Sequence, residues 1–499
     1  MRPHLLYRDG DYPAADPRPG AADLVADLNL DPVLEAMAGA EDNLRAVIDR
    51  VVLTRLPTAS DVEYRQGVLQ DCIAAPDLPQ RLHALALDAL AANRSVWAVF
   101  LNRPETVLHR AVRVLGLMLD RLRALQELCG EYRSRVDSDG FRQLFDVVAD
   151  ELSDDYLAEV EHRLGQLSFE HGTLIGARLG AENQSIDLVL RETTEERRMF
   201  VTRVVVKKPS FSVTIPERDE AGFSALAEFT DRALDEVANA AGQAADQVVS
   251  FFTALRDELE FYLGCMRLRE RLLTAGVELC WPRLRPQSDY VLAFDQLVDP
   301  ALALREESAV GNGLDARDVH VVLVTGANQG GKSTFLRSVG IADVLAHAGV
   351  FVPARSCSLS LHDRVFTHFR REEDVEMASG KLDEELRRMS AIADEVTARS
   401  LLLCNESFAA TNESEGSEIA RQVTTAFLDC GIQVCYVTHL YDFARVLFET
   451  RDERFAFLRA DTAADGRRSF RLRPGRPLPT SHAADVYERV FGRPLQSAQ

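Results

Sequence analysis

The chain has 499 residues, 46% hydrophobic and 27% charged, with a formal net charge of −21. That length is too great for one ordinary hydrophobic core and implies several domains. No uninterrupted apolar stretch is long enough for a membrane span, and the acidic balance argues against non-specific coating of nucleic acid, which needs clustered positive charge. The imbalance is concentrated in residues 1–300, which hold 33 Lys and Arg against 50 Asp and Glu, whereas residues 301–499 hold 24 against 28.

The N-terminus carries no apolar run of a secretory signal, which points to a cytoplasmic protein. Eight scattered cysteines, Cys72, Cys129, Cys265, Cys280, Cys357, Cys404, Cys430 and Cys435, form no C-x-x-C pair and read as reduced packing residues rather than zinc ligands. Residues 1–40 are expected to be partly flexible, because a Pro/Ala/Asp stretch occupies Tyr12–Gly20.

From Ala21 to about Gln166 the pattern is mostly helical, with apolar residues three and four apart in Pro79–Ala92 and Val107–Leu128, and 41–166 is assigned as the first part of a helical core. Over 167–218 it changes to short β-branched or aromatic runs, Ser168–Leu179, Ser185–Leu190, Met199–Val206 and Phe211–Ile215, separated by turn residues. A small β-rich insertion is predicted there. A second helical block, assigned to 219–296, carries one apolar stripe through Phe223–Ala275. Beyond it, strand-like runs at Val319–Thr325, Ser400–Cys404 and Gln433–Val437 alternate with helical segments, so 297–499 is predicted to hold a parallel sheet. The expected fold class is multidomain, α followed by α/β.

The run Gly326-Ala327-Asn328-Gln329-Gly330-Gly331-Lys332-Ser333 fits the phosphate-loop pattern and sits between a strand and a helix. Glycines allow backbone N–H groups and the helix N-terminus to converge on phosphates. Lys332 would reach the β- and γ-phosphates, Ser333 would offer its hydroxyl to Mg²⁺, and Thr334 would bond an inner phosphate. ATP and Mg²⁺ are therefore the expected cofactors. A second strand delivers Asn405-Glu406 at its C-terminal end, where ligands of open α/β sheets bind. Glu406 is expected to orient the attacking water, and Asn405 stands where an Asp usually joins the Mg²⁺ shell. An amide can hold a metal-bound water but supplies no charge. The third strand ends in Thr438-His439, placing His439 as a γ-phosphate sensor.

Together these residues resemble the MutS family. Thr325–Arg337 is similar to its phosphate loop, with Ala327 and Gln329 as departures, and Ala348–Ala354, Asp363–Thr367, Ala378–Gly380, Asn405–Ala420 and Val437–His439 follow in the family's order. Glu406, Thr411 and Gly416 are retained in the Walker B region, while Leu382-Asp383 replaces a Ser-Thr pair. Upstream, Leu56–Gln66 resembles the start of the family's core and lever domain. The resemblance implies a helical lever, a clamp-like β-rich insert and an ATPase head of the ABC/MutS type acting as a homodimer on DNA. It also implies a truncated architecture: no Phe-x-Glu mismatch wedge occurs, too few residues precede the lever for mismatch-reading and connector domains, and no helix-turn-helix extension follows the head.

Arg197, Arg198, Arg203, Lys207 and Lys208 form a basic run in the insert, readable as a phosphate-backbone contact or equally as a charged, aggregation-resistant edge strand. The acidic runs Glu372–Asp374 and Asp383–Glu385 read as helix-surface or interface charges. The leading function is a nucleotide-driven dimeric ATPase switch; the alternative is a nucleotide-gated scaffold with little hydrolysis.

Overall fold

The computed structural model describes residues 1–10, 20–39, 42–96, 103–169, 172–181, 185–191, 212–306, 309–326, 329–371, 380–462 and 468–478. They form two compact units, residues 1–5 with 75–259 and residues 6–74 with the chain from 260 onward.

In chain order the second unit opens with Ala21–Leu28 (α1), Asp31–Ala38 (α2), Asp42–Leu53 (α3) and Ala59–Ala74 (α4). The first unit holds Asp77–Ser95 (α5), Pro104–Tyr132 (α6), Asp139–Glu151 (α7), Asp154–Leu167 (α8) and an antiparallel hairpin of Ile175–Leu179 (β1) and Ser185–Leu190 (β2). Glu220–Thr274 (α9) is one continuous helix of 55 residues, its first part in the first unit and its last part in the second. The second unit then continues through Arg283–Arg285 (β3), Leu292–Leu297 (β4), Pro300–Ala303 (α10), Asn312–Ala316 (β5), Val321–Thr325 (β6), Lys332–His347 (α11), Ser356–Ser360 (β7) and Arg364–Phe369 (β8). It is completed by Lys381–Glu395 (α12), Ser400–Asn405 (β9), Glu413–Asp429 (α13), Gln433–Val437 (β10), Tyr441–Glu449 (α14), Phe455–Thr462 (β11) and Arg468–Pro474 (β12).

In the first unit α6 starts with Pro104, whose fixed φ suits the first helical position. It buries Leu108, Ala111, Val114, Met118, Leu122, Leu125 and Cys129 along one stripe. The hydroxyls of Ser138 and Ser153 accept from Phe141 N and Tyr156 N, capping α7 and α8.

From Ala21 onward α1 and α2 are helices, as the apolar spacing there suggested, and they bury Leu28, Val33, Leu34 and Met37. The structure differs from the sequence reading in two places. The helical block assigned to 219–296 stops at Thr274. There Gly276 adopts a left-handed φ of 75°, and the N–H of Val277 reaches back to Leu272 O, a glycine-dependent helix stop. Strands β3 and β4 already belong to a sheet before residue 297. In the insertion, β1 and β2 are the regular elements among the described residues; Met199–Val206 lies outside them, and residues 212–215 adopt no regular structure.

A six-stranded sheet in the second unit runs β12-β11-β6-β10-β9-β8, parallel throughout except for β12. Strands β6 and β10 are buried along their whole length, as expected of a parallel sheet covered on both faces. Leu323, Leu402, Val434 and Tyr436 pack with Ala420, Phe427 and Phe443 of α13 and α14. A four-stranded sheet, β3-β7-β4-β5, lies in the same unit. All eight cysteines are unpaired thiols, and six are buried.

Candidate functional site

Strand register brings the expected site residues together. Val437 on the central strand β10 is level with Val324 of β6 on one side and with Asn405 of β9 on the other. The three strands run parallel, so the turns after them emerge side by side at their C-terminal edge.

The turn after β6 is shaped by its glycines. Gly326 has φ 112°, and a Cβ there would meet Ala460 N at 2.9 Å; Gly331 has φ 88° and caps α11. Gln329 is also left-handed, at φ 57°. Ala327 and Asn328 lie outside the described residues, and Gly330 is buried. Helix α11 begins at Lys332, so its unsatisfied N–H groups and positive dipole end face the turn, an arrangement suited to an anion.

Lys332 folds back over the turn, its Nζ donating to Gly326 O at 2.9 Å and lying 3.5 Å from His439 Nε2. Burial depresses this amine to about 8, with the Glu406 carboxylate opposing the shift. Ser333 Oγ donates to Asn405 Oδ1 at 3.0 Å, which leaves the hydroxyl lone pairs available to a cation. Thr334 is half-buried on the same helical turn. Glu406, at φ 54°, accepts from His439 Nε2 at 2.9 Å. That hydrogen bond, aided by the charges of His439 and Lys332, holds its carboxyl below the usual range despite burial. The arrangement is a cation, a hydroxyl–amide pair and a carboxylate–imidazole pair around one helix N-terminus.

The retained Gly416 has a steric reason, since a Cβ there would lie 2.5 Å from Phe408 O. Leu382 packs against the core and Asp383 pairs with Arg387 at 2.7 Å. Glu385, expected on a helix surface, is instead buried, and burial raises its carboxyl pKa; the helix turns this position inward. Glu372–Asp374 lies outside the described residues, as do Arg197, Arg198, Arg203, Lys207 and Lys208.

Sequence reasoning missed two features of this edge. Phe470 of β12, exposed and at φ 54°, sits over Gly331, where its backbone O would be 3.2 Å from a Cβ. An exposed ring beside a phosphate-type loop can stack a planar base. Its strand is held by Asn312 of β5, which accepts from Leu472 N at 2.7 Å and donates to Phe470 O at 3.1 Å. Arg468 also donates to Gln329 Oε1. The second feature is a buried network behind Glu406, in which Tyr436 donates to Ser407 O at 2.9 Å and Ser407 meets His368.

Away from this edge, Asp343, His347 and His362 are buried together with potential metal-ligand atoms within 4.8 Å of one another. Their polar atoms are already engaged. His347 Nδ1 faces Asp343 O at 2.8 Å, and His347 Nε2 accepts from His362 N at 3.0 Å. His362 bonds Asp343 at 2.7 Å and Gln433 at 2.8 Å, while Arg55 donates to Asp343 at 2.6 Å. This is a closed network knitting α11 to the segment before β8.

The MutS2 N-terminal domain family matches residues 58–275, and the MutS domain V family matches residues 322–466. The chain is MutS-related. The second match spans β6, β9 and β10 and so contains Lys332, Glu406 and His439.

Among curated relatives, a DNA mismatch repair protein MutS of Chloroflexus aurantiacus is 32% identical over 244 residues, 45% of this chain and 25% of the relative. A DNA mismatch repair protein MutS 2 of Haloarcula marismortui is 28% identical over 285 residues, 50% of this chain and 30% of its own length. A probable DNA mismatch repair protein Msh6 of Drosophila melanogaster is 34% identical over 136 residues, 27% of this chain and 11% of that protein. The MutS-related chain thus spans less than a third of the length of these relatives. No described helix is long and apolar enough to cross a membrane.

Proposed function

We propose that this chain binds ATP with Mg²⁺ at the edge formed by the turns after β6, β9 and β10, and hydrolyses it as a nucleotide-driven switch acting on DNA. The observation that carries this reading is the convergence of Lys332, the Ser333–Asn405 pair and the Glu406–His439 pair on one helix N-terminus. Lys332 neutralises the outer phosphates, and Ser333 ligates Mg²⁺ with Asn405 holding a metal-bound water. Glu406 accepts a proton from, or orients, the attacking water, and His439 senses the γ-phosphate. The residues between Gly326 and Thr334, with Ala327, Asn328, Gln329, Gly330 and Gly331, form the cradle, and Phe470 stacks the base.

DNA and a second copy of the head are the proposed partners; the mismatch-repair names of the relatives support DNA. The helices of 41–166 and 219–274 are proposed as the lever, with the hairpin region 167–218 in a clamp-like position. The test is steady-state phosphate release by the purified chain with Mg²⁺-ATP, alone and with single-stranded, duplex, branched and mismatched DNA. Absence of ATP binding would refute the reading, and stimulation by mismatched duplex alone would refute a truncated reader that ignores mismatches.

A second reading is favoured by one observation, the neutral amide of Asn405 beside the Ser333 hydroxyl. With no carboxylate there, the chain would act as a nucleotide-gated scaffold that binds ATP and hardly turns it over. Tight ATP binding without phosphate release would select it.

A further inference from the structure

Glu406 lies at the start of a turn whose backbone is unusual. Glu406 and Phe408 both occupy the left-handed region, at φ 54° and 62°, a conformation that residues with a Cβ rarely adopt unless their surroundings impose it. Ser407, between them, is fully buried. Its surroundings identify what imposes the turn. Glu406 N donates to Val437 O at 2.9 Å, and the Tyr436 hydroxyl donates to Ser407 O at 2.9 Å, so β10 fixes the backbone on one side.

On the other side stands His368 of β8, also fully buried. Its Nε2 is 2.9 Å from Glu385 O, a carbonyl that can only accept, so Nε2 carries the ring proton. Ser407 Oγ donates to His368 O at 2.8 Å and lies 2.7 Å from Nδ1, so these two acceptors share its one proton. Burial lowers the imidazole to about 4, which keeps it in this neutral, single-tautomer form at ordinary pH. A continuous polar chain therefore runs from the Glu406 turn through Ser407 and His368 to the backbone of α12.

We propose that Ser407 and His368 are positioning residues that hold Glu406 in its working geometry and tie it to α12, so that displacement of α12 is felt at the carboxylate. The inference rests on the ATPase reading of Glu406. Both residues are fully buried, and each acts through the backbone of the Glu406 turn. Since α12 starts at Lys381 and carries Leu382-Asp383 in its first turn, the chain links that segment to the carboxylate within one head.

The test uses the full chain in wild-type form and as Ser407→Ala, His368→Ala, the double variant, His368→Gln and the milder Tyr436→Phe. ATP affinity, steady-state phosphate release and thermal midpoint are measured for each. Each alanine variant should lower kcat about ten-fold or more while ATP affinity changes less than about three-fold, the split expected when only transition-state geometry is lost. The double variant should be no slower than the slower single one, because both changes break the same chain. His368→Gln, which keeps a donor and an acceptor, should recover part of the rate. Tyr436→Phe, which deletes a single bond to Ser407, supplies the answer through a smaller kcat loss if the alanine variants do not fold.

Unchanged kcat in folded Ser407→Ala and His368→Ala, or losses that multiply in the double variant, overturns the proposal and leaves the ATPase reading standing. Where the alanine variants do not fold, unchanged kcat in Tyr436→Phe overturns it equally. A wild-type chain that binds ATP but releases no phosphate overturns the catalytic reading of Glu406 and this proposal with it.

Discussion

The Ser333 hydroxyl donates to Asn405 Oδ1 at 3.0 Å. The pair joins the first turn of α11 to the end of β9 and defines the cation-facing corner of the proposed site. Replacing Asn405 with Asp keeps the acceptor and adds a negative charge. Asn405→Asp should lower the Mg²⁺ concentration needed for half-maximal turnover several-fold, since carboxylates are the preferred ligands or outer-shell partners of this ion. An Mg²⁺ titration of phosphate release checks it, and an increased Mg²⁺ requirement would sink the assignment of this corner.

Lys332 links nucleotide binding to pH. Its folded pKa of about 8 lies below the ordinary lysine value, so between the two the folded chain has lost a proton that the unfolded chain keeps. In that window this group makes stability rise with pH; below about pH 8 the amine is charged in both states and the cost of burying it is fully present. Bound phosphates favour the ammonium form. ATP binding near pH 8.5 should then take up protons, and binding near pH 6.5 should not. Calorimetry in two buffers of different ionisation enthalpy reads this directly, and Lys332→Ala should abolish binding.

Glu406→Ala should preserve ATP affinity while reducing turnover by about 100-fold or more, the scale of a lost general base. Its carboxyl sits below the usual range, so activity should persist at mildly acidic pH as far as this residue governs it. Unaltered phosphate release in the purified variant would remove Glu406 from the mechanism.

Asp343 is a matter of stability. It is fully buried, with Arg55 and His362 bonded to its two oxygens, and these neighbours hold its carboxyl far below the ordinary value despite burial. Asp343→Ala leaves the Arg55 guanidinium without its counter-charge and should cost about 3 kcal/mol or more. Urea unfolding followed by circular dichroism measures it. Because the folded pKa is depressed, the stabilisation is present above the ordinary carboxylate range and is lost only as pH falls below it.

Gly326→Ala tests the turn itself. The positive φ and the 2.9 Å approach to Ala460 N oppose any side chain, so the thermal midpoint should fall by the equivalent of about 1–3 kcal/mol, with weaker ATP binding. An unchanged midpoint would show that the turn tolerates a Cβ.

The sequence made the second unit legible where its signals are local. A fully apolar run, closely spaced glycines and Lys332-Ser333 lie within one short stretch, and they appear as β6, a turn and α11. The two further strands were visible because buried parallel strands are apolar along their whole length. The end of α9 was legible, since the apolar stripe ran to Ala275 and the helix ends at Thr274; the block boundary at 296 was not, because strands as short as β3 and β4 carry little pattern of their own. The burial of Glu385 was misread because an acidic run looks solvated unless its helix phase is known. The contact of Ser407 with His368 joins residues 39 apart, and that of Asn312 with Leu472 joins residues 160 apart. No periodicity encodes such pairs, because the first follows from the pairing of β8 with β9 and the second from the approach of two separate sheets.

Asn312 pairs with the backbone of β12 as a neighbouring strand would, through one accepted and one donated bond. In the proposed site the grip on phosphate belongs to the stretch that begins at Gly326, whereas the backbone of Phe470 is held by an amide from a different sheet. Under the proposed function, affinity and nucleobase preference are then written in separate parts of the chain. The base a descendant of this protein selects could drift through Asn312 and Phe470 while the phosphate loop stayed unaltered.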